Sequence, residues 1–146
     1  MVWRFGEEDA IDDCLAALDI LVINHGVNPQ GAQDPETLNR AIEVNALSAW
    51  RLMQRFEALA AAAEGESPRE LWVNTSEAEI QPAVSPAYEL SKRLIGQLVS
   101  LRGANLGPEL RQQLVIRKLV LGPFRSELNP IGVMAAEFVV RQVLMQ

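Results

Sequence analysis

The sequence predicts an α/β fold built on a parallel sheet, and three observations predict it. Short apolar runs of strand length recur at Ile20-Leu21-Val22-Ile23, at Leu71-Trp72-Val73, and at Leu114-Val115-Ile116 continuing through Leu119-Val120-Leu121. The first and third are almost continuously apolar, as strands covered on both faces are. Helix starts marked by a capping side chain and a proline appear at Asp34-Pro35, Ser85-Pro86 and Asn129-Pro130. Each sets an N-cap oxygen before a residue whose missing N–H costs nothing at the first helical position. Strands alternating with helices imply right-handed βαβ crossovers and hence a parallel sheet.

Val2-Trp3-Arg4-Phe5 reads as a short first strand. A helix follows from Glu7 to Leu18, with its acidic start at the positive end of the helix dipole and Cys14 on its apolar, core-facing side. After the Ile20 run, a long helix extends from Pro35 to Ala63. Leu38, Ile42, Asn45, Ala49, Leu52, Phe56, Leu59 and Ala63 follow one another at spacings of three or four, which marks one buried face. Asn45 interrupts that face. A buried amide without partners costs about 1–3 kcal/mol, so Asn45 is either structurally paired or functional. Ala63 to Arg69 reads as an ordinary connection to the second strand. On the helix from Pro86, Tyr88, Lys92, Ile95 and Val99 share a face. Arg102 to Gln113 reads as a loop, and residues 1–146 as one domain without internal repeats.

A chain of 146 residues, 49% hydrophobic and 22% charged, can bury a real core. Its net charge of -6 carries no electrostatic footprint for nucleic acid. Cys14 is the only cysteine and His25 the only histidine, which excludes a disulfide or a clustered zinc site within one chain. His25 reads as a pocket wall. No apolar run approaches the roughly 20 residues that span a bilayer, and MVWRFGEEDA has no basic segment ahead of an apolar stretch. The expectation is a soluble, cytoplasmic chain.

Tyr88 is the only tyrosine, and Lys92, one of two lysines, lies one helical turn further on the same face. An ammonium beside a phenol favours the phenolate, so Lys92 is expected to lower the Tyr88 pKa from its usual value near 10. A tyrosine tuned in this way acts as a general acid or base. The plainer reading is a core-edge aromatic beside a solvated lysine. Glu77, Glu79 and Glu89 crowd the same stretch, would oppose the depression, and are expected to face solvent.

The segment Asp19 to Gly26 resembles the strand-and-turn motif of short-chain dehydrogenases/reductases, with His25 where alanine is usual. Val44-Asn45 matches their active-site asparagine, and Trp72-Val73-Asn74-Thr75-Ser76 the strand that delivers their serine. Tyr88-Glu89-Leu90-Ser91-Lys92 matches their tyrosine-lysine motif, and Leu121-Gly122-Pro123-Phe124 their Pro-Gly turn in inverted order. The resemblance runs from about Trp3 to Val143. Its narrower form is to the dehydrogenase half of cyanobacterial proteins that join a sterol desaturase-like region to such a domain.

That resemblance implies a partial Rossmann-like three-layer sandwich lacking the first βαβ unit. The family's glycine-rich phosphate turn has no counterpart, because Gly103-Ala104-Asn105-Leu106-Gly107 follows a helix instead of a strand. It also implies NAD or NADP as cofactor and a small carbonyl or alcohol as substrate. Tyr88 would exchange a proton with the substrate oxygen, and Lys92 would hold the nicotinamide ribose. Ser76 would bond the substrate oxygen, although Thr75 occupies the place thirteen residues before Tyr88 where the family's serine normally lies. Asn45 would hold a relay water through its backbone. Asn24, Gly26 and Pro123 would line the cofactor, and Ser126 would contact its carboxamide. Without the family's first strands the sheet would keep an open edge that a partner chain could cover, which predicts a homo-oligomer. Two other readings stay open: an inactive remnant serving as an interaction module, and a metabolite sensor.

Overall fold

The structure, a computed structural model, describes residues 6–63, 67–126, 129–130 and 132–145. The proposed strand at Val2-Trp3-Arg4-Phe5 lies outside them. Three strands, β1 (Ile20–Ile23), β2 (Arg69–Ser76) and β3 (Leu114–Leu121), form one parallel sheet in the order β1-β2-β3. Ile23 pairs with Val73, and Ser76 pairs with Leu121. The helices are α1 (Asp12–Ala16), α2 (Pro35–Ile42), α3 (Ser48–Ala61), α4 (Pro86–Ala104), α5 (Pro108–Gln113) and α6 (Ala136–Leu144). The predicted α/β class and parallel pairing are what the chain adopts.

Alternation along β2 decides where the core sits. Leu71, Val73 and Thr75 are buried, while Glu70, Trp72, Asn74 and Ser76 between them are only partly so. The buried set packs on Leu15 of α1, Leu52, Met53 and Phe56 of α3, and Ile95 and Val99 of α4. Each such large side chain withdrawn from water stabilises the fold by about 1.5–3 kcal/mol. The opposite face is open: Ile20 is 47% and Val22 50% exposed. Across it Trp72 donates to Glu70 at 2.6 Å, and Arg117 pairs with the same carboxylate at 2.7 Å.

Several local expectations need correction. The first helix is a 3₁₀ turn, Glu8–Ile11, followed by the short α1, and this phase buries Leu15 while leaving Cys14 exposed. The long helix is not continuous, because a π-helical turn, Glu43–Leu47, separates α2 from α3. Arg102 to Gln113 is largely helical: α4 runs to Ala104, and Pro108 then opens α5 from the first helical position, with Glu109 in its first turn. Asn129-Pro130 starts no helix. Asn129 instead exchanges backbone hydrogen bonds with Ser126, and α6 begins at Ala136. Asp34 does cap α2, accepting from the Thr37 amide at 2.9 Å. Ser85 makes no such bond, and its buried hydroxyl has no partner. Glu89 takes the Ala83 amide just ahead of α4 at 2.7 Å.

Candidate active site

A cleft of about 520 Å³ opens at the carboxyl ends of the strands, the place where open α/β sheets bind ligands. Asn24 and His25 reach it from β1, Ser76 from β2, Tyr88 and Lys92 from α4, and Pro123 and Ser126 from the segment after β3. A larger groove, about 690 Å³, runs between α1 and α3. Its Arg51 pairs with Glu8 at 2.9 Å and its Arg55 with Asp12, so both of its arginines are already paired.

The alternation of β2 separates the two hydroxyls at its end. Thr75 is 3% exposed and turns toward the helices, its Oγ1 3.4 Å from the Leu119 carbonyl. Ser76 turns to the cleft, where it caps the following 3₁₀ turn, Glu77–Glu79, on the same cleft wall as the Tyr88 phenol. Asn74, on the same side as Ser76, donates to Asn24 at 2.8 Å and ties β2 to the end of β1.

Tyr88 does not have the depressed pKa expected from its lysine. Burial pushes the phenol above its usual value, the Ser76 hydroxyl pulls it down, and the Glu77 charge pushes it up, with a net rise. Lys92 stands 5.8 Å from the centre of the tyrosine ring, a cation–π placement, and no lowering of the phenol by Lys92 is resolved. Tyr88 therefore keeps its proton at neutral pH. Lys92, only 6% exposed, is itself lowered to about 8 by burial.

The carboxylates expected in solvent are also placed differently. Glu79 lies against Gly96 of α4 and pairs with Lys118 at 2.6 Å, and Glu89 pairs with Arg93 at 2.9 Å. Glu77 does oppose ionisation of Tyr88, as the sequence suggests.

Asn45 and Gly26 stand behind the cleft instead of lining it. Asn45 is 2% exposed and sits in the π turn, an irregularity that recurs at functional sites. Its Oδ1 accepts from the Val27 amide at 2.7 Å, and its Nδ2 donates to the Val27 carbonyl at 2.9 Å and to Ser91 Oγ at 2.8 Å. Ser91 donates onward to the Tyr88 carbonyl at 2.8 Å. The Asn45 side chain is thus structurally paired, fastening the loop after β1 to α4. Gly26 permits this approach, since a Cβ there would lie 3.0 Å from Asn45 Oδ1 and 3.8 Å from Lys92 Nζ.

His25 is a wall of the cleft, as expected, with Nε2 2.7 Å from Ser48 Oγ. Burial, and then the Lys92 charge, hold its pKa below the usual value. Sequence reasoning missed Asn74, Ser91 and Ser48. Asn74 was open to discovery, because strand alternation puts it on the face of Ser76. Ser91, three residues after Tyr88, lies on a neighbouring helical position, whereas nothing local marks Ser48.

The residues fit one end of a nicotinamide dinucleotide. Lys92 is a buried ammonium whose pKa is lowered by burial, and among the described residues no carboxylate pairs with it, so it suits polar oxygens such as ribose hydroxyls. Lys92 by itself supplies no cradle for the pyrophosphate.

A three-stranded parallel sheet with tyrosine, lysine and serine converging at its carboxyl end defines the class: the chain has the short-chain dehydrogenase/reductase fold. No protein-family model matches it. The chain is 50% identical over 142 residues to the monoglucosyldiacylglycerol epimerase of Synechocystis sp. (strain ATCC 27184 / PCC 6803 / Kazusa), covering 97% of this chain and 33% of that protein. It superimposes on a short-chain dehydrogenase from Burkholderia cenocepacia J2315 in complex with NADP, with a TM-score of 0.76 at 19% identity, over 94% of this chain and 60% of that one. It also superimposes on the 3-oxoacyl-[acyl-carrier protein] reductase of Brucella melitensis in complex with NAD, with a TM-score of 0.71 at 21% identity, over 94% and 54%. The chain therefore spans a third of the epimerase and a little over half of these two structures. Among the described residues no helix is long and apolar enough to cross a membrane.

Proposed function

We propose that this chain carries the catalytic half-site of an NAD(P)-dependent oxidoreductase that interconverts a secondary alcohol and a carbonyl. The observation that carries the reading is the convergence of Ser76, Tyr88 and the buried Lys92 on one cleft at the carboxyl ends of the strands. A nicotinamide dinucleotide, when bound, supplies the acceptor and donor of hydride. Tyr88 gives its phenol proton to a carbonyl oxygen during reduction and takes the hydroxyl proton during oxidation. Ser76 donates to the same oxygen and holds it at the phenol. Lys92 binds ribose hydroxyls and, once substrate has excluded water, favours the phenolate that Tyr88 must transiently become. Asn45 fixes the loop against α4 and offers its backbone carbonyl to a relay water.

The likeness to an epimerase of a glucosyl lipid extends the reading to a substrate class, a sugar hydroxyl on a glycolipid. Inverting a hydroxyl-bearing carbon without net redox change takes two half-reactions. Tyr88 accepts the hydroxyl proton as the carbon loses hydride and becomes a ketone, then returns that proton as hydride comes back to the opposite face. The cofactor ends as it began, so electrons and protons balance.

The test is Tyr88→Phe, assayed with NADPH and a ketone substrate and by tryptophan quenching on cofactor titration. Turnover is expected to fall by roughly 10²- to 10⁴-fold, the usual range for removing a general acid or base, with cofactor affinity unchanged. Undiminished turnover overturns the assignment of Tyr88.

A further inference from the structure

His25 is the one ionisable side chain of the cleft wall after β1, and the proton transfers above do not use it. Its Nε2 lies 2.7 Å from Ser48 Oγ. The Ser48 hydroxyl gives its own hydrogen to the Val44 carbonyl at 2.8 Å, which leaves its oxygen to accept and puts the ring proton on Nε2. Two residues on, the Asn45 side chain brackets both backbone groups of Val27. The loop after β1 is thus fastened twice to one structure, the π turn Glu43–Leu47 and the first residue of α3. A π turn departs from the regular i to i−4 ladder, so outside contacts help to hold it.

We propose that His25 is a positioning residue, a latch that holds the π turn so that Asn45 can grip Ser91 and, through it, the turn of α4 that carries Tyr88 and Lys92. Its consequence for catalysis rests on the oxidoreductase reading, whereas the latch itself needs no ligand. The latch works with a neutral ring. Lys92 acts on the ring from α4 and Glu8 from the 3₁₀ turn before α1, while the Val44 carbonyl of the π turn and Ser48 of α3 face it. Burial and Lys92 oppose protonation and outweigh Glu8 and the Val44 carbonyl. An imidazolium there is short of water and repelled by Lys92, so acid drives the ring out of the latch.

Amide hydrogen exchange at Val27, whose N–H is held by Asn45, reads the latch directly, with Val73 in β2 as the control for global opening. His25→Ala and Ser48→Ala are expected to lower Val27 protection at pH 7 by about tenfold, the scale of one partly buried hydrogen bond, with Val73 unchanged. The unaltered chain should lose a similar factor between pH 7 and pH 5. His25→Gln keeps an N–H donor for Ser48 but cannot be protonated in this range, and should hold its protection at both pH values. Unchanged Val27 protection in His25→Ala, or an acid loss in His25→Gln equal to that of the unaltered chain, overturns the latch. If His25→Ala fails to fold, His25→Gln and the ring ¹⁵N shifts decide, and a ring protonated on Nδ1 at pH 7 counts against the proposal. NADPH titration stands apart: no binding by the unaltered chain sinks the oxidoreductase reading and leaves the latch to the exchange data.

Discussion

Lys92 and Lys118 are the two lysines of the chain, and the fold treats them in opposite ways. Lys118, on β3, reaches over α4 to Glu79 at 2.6 Å and to Ser100 at 2.8 Å, and its charge is spent within the structure. Lys92, on α4, is buried with no carboxylate partner among the described residues and sits at about 8. A charge that the fold pairs holds elements together. One that it buries unpaired destabilises the protein unless something else accepts it, which is why such groups gather at functional sites. The Glu79–Lys118 pair straps the turn after Ser76 to β3, and the bond from Lys118 to Ser100 extends that strap to α4.

The comparison breaks most sharply at Lys92. Replacing it with methionine should stabilise the chain by up to roughly 3 kcal/mol at pH 7, the cost of holding an ammonium whose pKa falls from 10.5 to about 8. Because the folded pKa is the lower one, the cost is full below pH 8 and disappears as pH rises toward 10.5. The gain of Lys92→Met should shrink over the same window in urea titrations, while NADPH affinity is lost throughout. Destabilisation by Lys92→Met at pH 7 would show that the ammonium is part of the structural frame.

Lys118→Met should act with the opposite sign. It strands the Glu79 carboxylate against Gly96, and with both partners mostly but not wholly buried the cost is about 1–3 kcal/mol. A melting temperature equal to that of the unaltered chain removes the strap from this account. The smallest effect is the pH dependence of cofactor affinity. It should stay level from pH 7 to about 8 and then weaken by at most about tenfold per pH unit as Lys92 deprotonates.

The α/β class was legible because it rests on local patterns. Strand-length apolar runs, the Asp34 cap and the three-to-four spacing that buries Leu52 and Phe56 are fixed by backbone periodicity and nearest neighbours. The convergence of Tyr88, Lys92 and Ser76 was readable too, since one helical turn separates the first two and Ser76 ends a strand whose carboxyl end faces them. Other features escaped the sequence because they depend on what packs against what. Helical periodicity places Cys14 in the core, but a 3₁₀ start shifts the phase of the first helix and buries Leu15 in its place. The π turn at Asn45 answers the loop after β1, which is remote in sequence. At Asn129-Pro130 a turn closed on Ser126 prevailed over a good local helix signal.

By itself, the sequence determined the element types, the parallel sheet and the residues that meet at its carboxyl end, because periodicity and capping act over a few residues. Only the tertiary structure decided the charge state of the site: which lysine is paired, which serine or threonine faces the cleft, and whether Tyr88 is depressed or raised. Those depend on desolvation and on contacts between segments tens of residues apart, as in the bond from Asn45 to Ser91. Motif spacing names the two residues of a tyrosine-lysine pair but carries no information about the water withdrawn from around them.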